Sequence, residues 1–515
     1  MASTPSTSAS TPASSPGQSD AELLKELGYE QELHRGMSGF SNFAVSFSII
    51  SILAGCITTY YLAMDAGGPI AINIGWPIVG LFVLCVAMAM AEICSRYPTA
   101  GGLYWWAGKL ATKNNRQWAW YTGWFNFMGE VAVTASIDYG AAVTWMALLN
   151  LVFGTSVTLV STFIAFLVII VLHGLLNTFG VTVVKILSDV SAWWHLAGVA
   201  IIVVVLVVVP DQHQSLSWTF THFENQTGFT FAGAPVYAFL IGLLMTQYTL
   251  TGYDASAHVA EETISAQIEA PKAIVRSVWV SILAGWVLLI AVTAAIQDYA
   301  AERNSATGLP PAQIFIDAAG RHTGEFLLLI AAVAQFFCGM ASVTANSRMS
   351  YAFSRDHALP GSRLWAKVNP RSGTPTNSIW LCVTCSIVLT LPAVKNLVAF
   401  FAVVSIAVIG LYIAYATPVF LRRTNPDFDP GPWNLGRWSA PIGWIAVLWV
   451  GVIVVLFMLP QYSPGNTWAT FNYAPVAVLS VLALATVMWF VEGRDNFMVA
   501  KPIAPDLAEI PDPTA

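Results

Sequence analysis

The chain has 515 residues, 56% of them hydrophobic and only 10% charged, where soluble domains carry about a quarter charged residues. Such a balance excludes an ordinary soluble domain and fits a protein whose solvent is lipid. The formal net charge of −6 says little about partners, and no nucleic acid is expected among them.

Taken in chain order, the first stretch reads "MASTPSTSASTPASSPGQ". It is rich in Ser, Thr and Pro and lacks the regions of a signal peptide. Residues 1–27 are expected to form a disordered cytosolic tail, and 496–515 a second one. Between them lie about twelve apolar runs, near 40–65, 75–95, 118–150, 157–177, 186–209, 233–264, 273–297, 324–354, 377–392, 395–421, 441–460 and 472–491. A run of roughly 18 or more apolar residues with few charges reads as a membrane-spanning helix. The expected fold class is an all-α membrane protein of about twelve transmembrane helices. With the N-terminus cytoplasmic, the inner segments hold 19 of the 22 Lys and Arg, and the outer loops only Arg303, Arg321 and Lys395. The positive-inside bias therefore places both termini in the cytoplasm.

Two of the spans carry weak centres. The first contains "SILAGC" (51–56), with Ser51, Ala54, Gly55 and Cys56 at mid-span. The sixth contains "TLTGYD" (249–254). Backbone groups in hydrocarbon must be bonded internally, so an interruption is tolerated only where protein or a water-filled cavity replaces the lost partners. The two lie five helices apart, and five is odd. Helices 6–10 (about 233–421) thus start from the opposite face to helices 1–5 (about 40–209), giving an inverted repeat. Helices 11–12 (about 441–491) complete a transporter domain over 28–495. Paired interruptions at matching positions point to a carrier's binding site.

A broken helix leaves free amides at the start of one half and free carbonyls at the end of the other. The amide end suits a carboxylate. Ala54, Gly55, Cys56 and Ile57 are therefore expected to face a substrate carboxylate. Carbonyls of Ser51 and Ile52, with Thr249, Leu250 and Thr251, are expected to face its ammonium. Gly55 and Gly252 permit close approach. Asp254, a carboxylate in mid-membrane, reads as a coupling residue or as a cap on the second half of helix 6. On helix 3, Glu130 and Asp138 stand eight residues apart, two turns along nearly one face. Either is a candidate for an amine tail or a proton relay. Glu92 and Arg96 are spaced to pair along helix 2. Glu261, Glu262, Lys272, Arg276, Arg348, Arg355 and Asp356 are rich enough for gating salt bridges.

No G-x-x-x-x-G-K-[ST] loop occurs, and no nucleophile–base set stands in the short loops. Neither an enzyme nor a cofactor is expected. His173, His213, His222 and His258 show no metal-ligand spacing. Cys382 and Cys385, a C-x-x-C within a span, read as small packing residues.

Several motifs carry a family resemblance. "AEICSRYPTAGGLYWW" (91–106), "GYDASAHVAEETISAQIEAPKAI" (252–274) and "SRMSYAFSRDHALP" (347–360) resemble segments of the amino acid–polyamine–organocation (APC) superfamily. "GYEQELHRGMSGFSNFAVSFSIISI" (28–52) and "GLLNTFGVTVVKILSDVSAWWH" (174–195) look like its amino acid/choline branch, which includes GABA permeases. The resemblance implies a LeuT-type 5+5 inverted repeat with helices 1 and 6 interrupted. It also implies secondary transport of an amino acid such as GABA across the plasma membrane, coupled to protons or by exchange, with sodium the other coupling ion. A choline or polyamine carrier, or a ligand sensor without flux, is the alternative. Tyr253 would close over substrate. Many relatives carry a Lys fifteen residues after the Gly of an N-x-x-G motif. Counted from Gly180 in "NTFG", that position is His195, a titratable imidazole at the coupling-ion site. Ser342, Thr344 and Ser347 of helix 8 have suitable chemistry to line it.

Overall fold

The computed structural model describes residues 19–305, 307–395, 398–467 and 470–498. Helix 1 runs Gly39–Ile50 and resumes at Ile52–Asp65. Helices 2 to 5 are Gly75–Arg96, Asn115–Phe153, Leu159–Thr178 and Val181–Val208. Helix 6 runs Ala234–Thr249, stops, and resumes as the short Ala255–His258. Helices 7 to 10 are Ala266–Ala294, Arg321–Arg355, Thr376–Thr390 and Val398–Thr424. Helices 11 and 12 are Ser439–Met458 and Ala474–Met488.

Among the described residues, 11 helices are long and apolar enough to cross a membrane. The twelfth span is helix 6, whose first half has only 16 residues because the interruption cuts it short. The molecule is thus a nearly all-helical, multi-pass membrane protein. In its most apolar window helix 12 is 22% buried, whereas helices 1 and 3 are each 89% buried. Helices 1 and 3 form the centre, and helices such as 12 present Leu479, Val487 and other large apolar side chains outward, as lipid contact favours.

Helices 1 and 6 lie side by side in opposite directions. The chain just after helix 1 pairs with the chain just before helix 6, Ala66 with Asn225 and Gly67 with Glu224, in a two-stranded antiparallel ribbon. At the other end, Met37, before helix 1, bridges to Thr263, after helix 6. Both ends are clamped, so the two interruptions are held level.

Residues 20–26, assigned to the tail from sequence, form a helix. Ser19 and Glu22 make a reciprocal capping box at its start, which closes two otherwise open backbone donors. The tails at 1–18 and 499–515 lie outside the described residues. From this short helix the chain crosses the face that carries the N-terminus. Arg35 donates to the carbonyls of Ala260 and Thr263, and Tyr29 donates to Asp356 at 2.8 Å.

Candidate functional site

Ser51 is the whole of the helix 1 interruption. Its backbone is left-handed, φ 30° and ψ 80°, a conformation rare outside glycine. The interruption thus falls at the first residue of "SILAGC", a turn before Ala54 and Gly55. The Ser51 carbonyl accepts from the amides of Ala54 and Gly55, each at 2.8 Å. Those two amides, expected to face a carboxylate, are therefore occupied. Cys56 and Ile57 lie a turn further into the helix. Ile52 and Leu53 open the resumed helix, so their amides have no acceptor within it. They are the donors this N-terminus offers.

His195 holds the break from behind. Its Nδ1 lies 2.7 Å from the Ser191 carbonyl and its Nε2 lies 2.6 Å from Ser51 Oγ. A carbonyl only accepts, so Nδ1 carries hydrogen, and a neutral ring then accepts the Ser51 hydroxyl at Nε2. The count from Gly180 thus brings helix 5 against helix 1 at the interruption. Ser342, Thr344 and Ser347 do not join it. Ser342 bonds Thr134 at 2.8 Å, Thr344 bonds Asn177 at 2.7 Å, and Ser347 bonds the Thr344 carbonyl at 2.9 Å. Helix 8 instead offers Cys338, whose thiol donates to the Ile49 carbonyl at 3.2 Å.

Helix 6 opens over Leu250–Asp254. Gly252 takes φ 100°, which only glycine adopts readily. Thr249 and Thr251 turn their hydroxyls back onto the carbonyls of Met245 and Gln247. The Leu250 carbonyl accepts from Tyr412 at 3.1 Å. Tyr253 is fully buried and tilts against Tyr415 with ring centroids 5.0 Å apart. Asp254 makes no capping bond to helix 6; its carboxylate accepts from Tyr415 at 2.6 Å and faces His258 at 3.4 Å.

Between the interruptions lies a cavity of about 20 Å³, room for about one water. From the expected set it is lined by Ala54, Gly55, Thr249 and Thr251. Ser51, Ile52, Cys56, Ile57, Leu250, Gly252 and Tyr253 stand around it without lining it. Sequence reasoning missed Tyr248, Gln335 and Thr58, which supply most of its remaining polarity. Tyr248 donates to Ser136 at 2.8 Å. Nothing but a helical face marked these residues in advance. A Cβ on Gly55 would stand 2.6 Å from Thr249 Oγ1, so glycine there sets the distance between helices 1 and 6.

Thr58 also borders a larger cleft of about 210 Å³ with Tyr61, Asp65, Arg303 and Phe400. The cleft reaches the surface at Asn304 and Gly308, on the face away from the N-terminus. The N-terminal face is shut. Arg348 and Glu262 pair at 2.7 Å, both fully buried, and Arg355 grips Glu261 at 3.0 Å. Lys272 pairs with Glu269 at 2.8 Å. Glu92 pairs not with Arg96 but with Arg423 at 3.4 Å and Arg422 at 3.8 Å.

The two helix 3 carboxylates, expected on one face, serve different neighbours. Asp138 Oδ1 lies 2.9 Å from His173 Nδ1, both buried, around Gly339 of helix 8. Glu130 joins Asp254 and His258, one ligand-type atom from each lying within 4.8 Å of the others. His258 therefore does belong to a ligand-type cluster, contrary to its sequence spacing, because the partners come from helix 3 and from one turn earlier in helix 6.

Two interrupted, antiparallel helices around an enclosed site, one face cleft and the other latched, define a multi-pass membrane protein built as a carrier. The sequence profile described as amino acid permease matches residues 37–482. The chain is 44% identical to the amino-acid permease BAT1 of Arabidopsis thaliana over 494 residues, covering 92% of this chain and 95% of that one. It is 42% identical to a BAT1 homolog of Oryza sativa, covering 93% and 95%. Amino-acid permease 2 of Neurospora crassa is 29% identical, covering 95% and 90%. The protein belongs to the amino acid permease family.

Proposed function

We propose that the protein moves a small zwitterionic amino acid, GABA among the candidates, across the plasma membrane by alternating access, with both termini cytoplasmic. The observation that carries this reading is the uncharged cavity between two level interruptions. No Asp, Glu, Lys or Arg lines it. A lone cation such as choline or a polyamine would have no counter-charge there. A zwitterion supplies its own, with the Ile52 and Leu53 amides taking the carboxylate and carbonyl oxygens of the interruptions taking the ammonium. The cavity is too small for any amino acid as it stands, so substrate must part helices 1 and 6, which ties binding to the conformational cycle. The coupling ion is a proton in this reading, because ionisable side chains without Lys or Arg partners stand within a turn of the site.

The test is uptake by purified protein in liposomes. The panel is the twenty amino acids, GABA, choline and putrescine, each with and without proton or sodium gradients. Saturable uptake of one or more amino acids is expected. Choline or putrescine alone would overturn the substrate class. Binding without flux would make the protein a sensor.

A further inference from the structure

We infer that the coupling proton is held by one buried trio, Glu130 of helix 3 with Asp254 and His258 of helix 6, and that its charge state is passed to the helix 6 interruption through Tyr415. The inference rests on the carrier reading above and names where its proton sits.

All three side chains are fully enclosed, Glu130 at 2% exposure and the others at 0%. Their nearest ligand-type atoms are within 4.8 Å of one another. Two carboxylates this close in a water-poor site do not both stay ionised. Among the described residues neither pairs with Lys or Arg. Arg348 and Arg355 of helix 8 are committed to Glu262 and Glu261. One proton is therefore shared by the trio.

The other titratable groups facing it are few. Helix 10 presents Tyr412 and Tyr415, helix 6 itself adds Tyr253, and helix 9 adds Cys382. Cys382 is engaged with Asn346 at 3.0 Å. Helix 1 meets this part of helix 6 with uncharged groups, Ser46 bonding Ser256 at 2.7 Å and the Asn42 amide donating to the Ser256 carbonyl at 3.0 Å. The loop after helix 2 presents the Ala100 carbonyl, 2.9 Å from His258 Nδ1.

The trio is wired in two directions. Toward the substrate, the Tyr415 hydroxyl donates to Asp254 Oδ1 at 2.6 Å and accepts from the Gly252 amide at 3.3 Å. A bond to an ionised carboxylate is roughly twice as strong as one to a neutral acid. Losing the proton tightens Tyr415 on Asp254 and fixes the opened backbone at Gly252; regaining it loosens both. Toward the N-terminal face, Ala100 links His258 to the latch, because its amide donates to Glu261 at 2.9 Å and Glu261 holds Arg355. On release the acid O–H breaks as His258 Nε2 takes the proton, and the His258 Nδ1–H bond breaks as water on that face, admitted once the latch opens, takes a proton in turn. The trio then carries one more negative charge, with His258 left neutral and its hydrogen on Nε2. His195 has no part in this step, since its Nδ1 is engaged with the Ser191 carbonyl of its own helix and its Nε2 with Ser51 of helix 1.

The test uses full-length protein in liposomes with the panel member that exchanges fastest. An inside-alkaline gradient should drive accumulation by wild type. Glu130→Gln should cut that accumulation by at least about tenfold and remove the pH dependence of exchange between pH 5.5 and 8. Glu130→Asp should restore part of both, and His258→Gln should move the midpoint of the pH profile. Independently of any variant, wild type in weakly buffered detergent should take up no proton on substrate binding at pH 5.5, where the trio already holds it, and toward one per substrate as pH rises to 8, read with a pH indicator dye. A wild-type count of zero across that range overturns the inference, as does full gradient-driven accumulation by both Glu130→Gln and His258→Gln. Those results leave amino acid exchange, and so the carrier reading, standing. Absence of flux for every amino acid removes the carrier reading and this inference with it.

Discussion

At the residue scale, the position that matters most for helix 1 is not a glycine but Ser51. A non-glycine residue at φ 30° stores strain of order 1–3 kcal/mol, and here its surroundings repay it. The Ser51 hydroxyl receives the Ala54 amide at 3.2 Å and meets His195 at 2.6 Å. His195→Ala removes the second contact and leaves a cavity beside the first. The expected result is a substrate affinity lower by about tenfold, from roughly 1.4 kcal/mol lost in one buried hydrogen bond, with the pH profile of uptake keeping its shape. A flattened profile would return proton coupling to His195, where the sequence count had put it.

At the element scale, the segment from Ser19 to Ser38 works as a strap. Asp20 accepts from the amides of Ser265 and Ala266 at the start of helix 7, Glu32 accepts from Tyr351 at 2.6 Å, and the Arg355 guanidinium lies 3.8 Å from the Tyr29 ring centre. Beneath the strap, burial raises the Asp356 carboxyl to about 7 from an ordinary 3.8, against the pull of Arg355 and of hydroxyls from Tyr29 and Tyr104. Lifting the strap rehydrates Asp356 and lets its affinity for the proton fall. The strapped state thus binds the extra proton between about pH 4 and 7, so the strap is held more firmly as pH falls through 7 and that advantage is gone above it. Hydrogen exchange of residues 29–37, corrected for its intrinsic pH dependence, should be slower at pH 5.5 than at pH 8. Asp356→Asn should erase the difference; an unchanged difference would assign it to another group.

At the scale of the whole molecule, one face is cleft and the other is latched, and the latch is largely ionic. Arg348 and Glu262 are both fully buried. Removing one partner of such a pair leaves a charge stranded in low dielectric, a loss of about 3–5 kcal/mol. Glu262→Gln should therefore lower the thermal midpoint in nanodiscs, and it should expose the N-terminal face to thiol reagents at a cysteine placed at Ser46. A variant as stable as wild type, with Ser46→Cys still protected, would show that the latch is held by packing instead.

Hydropathy determined the class of this protein and the number of its spans, and small or polar residues at mid-span marked the interruption of helices 1 and 6. Whether a run of side chains prefers lipid is a local property, summed over about 20 neighbours in the sequence, and a glycine or serine run at mid-span is equally local. The family could be read from motifs for the same reason. Partnership is not local. Glu130 and Asp138 share a helix and a nominal face, yet one meets helix 6 and the other His173 of helix 4. His258 gains its neighbours from helices 3 and 6, Tyr248 and Gln335 reach the cavity from separate helices, and the Ala54 and Gly55 amides fold back on Ser51. A periodicity of 3.6 residues tells which way a side chain points, not what waits there. That is settled by the angles at which helices pack, where a turn's shift in one helix changes every contact it makes.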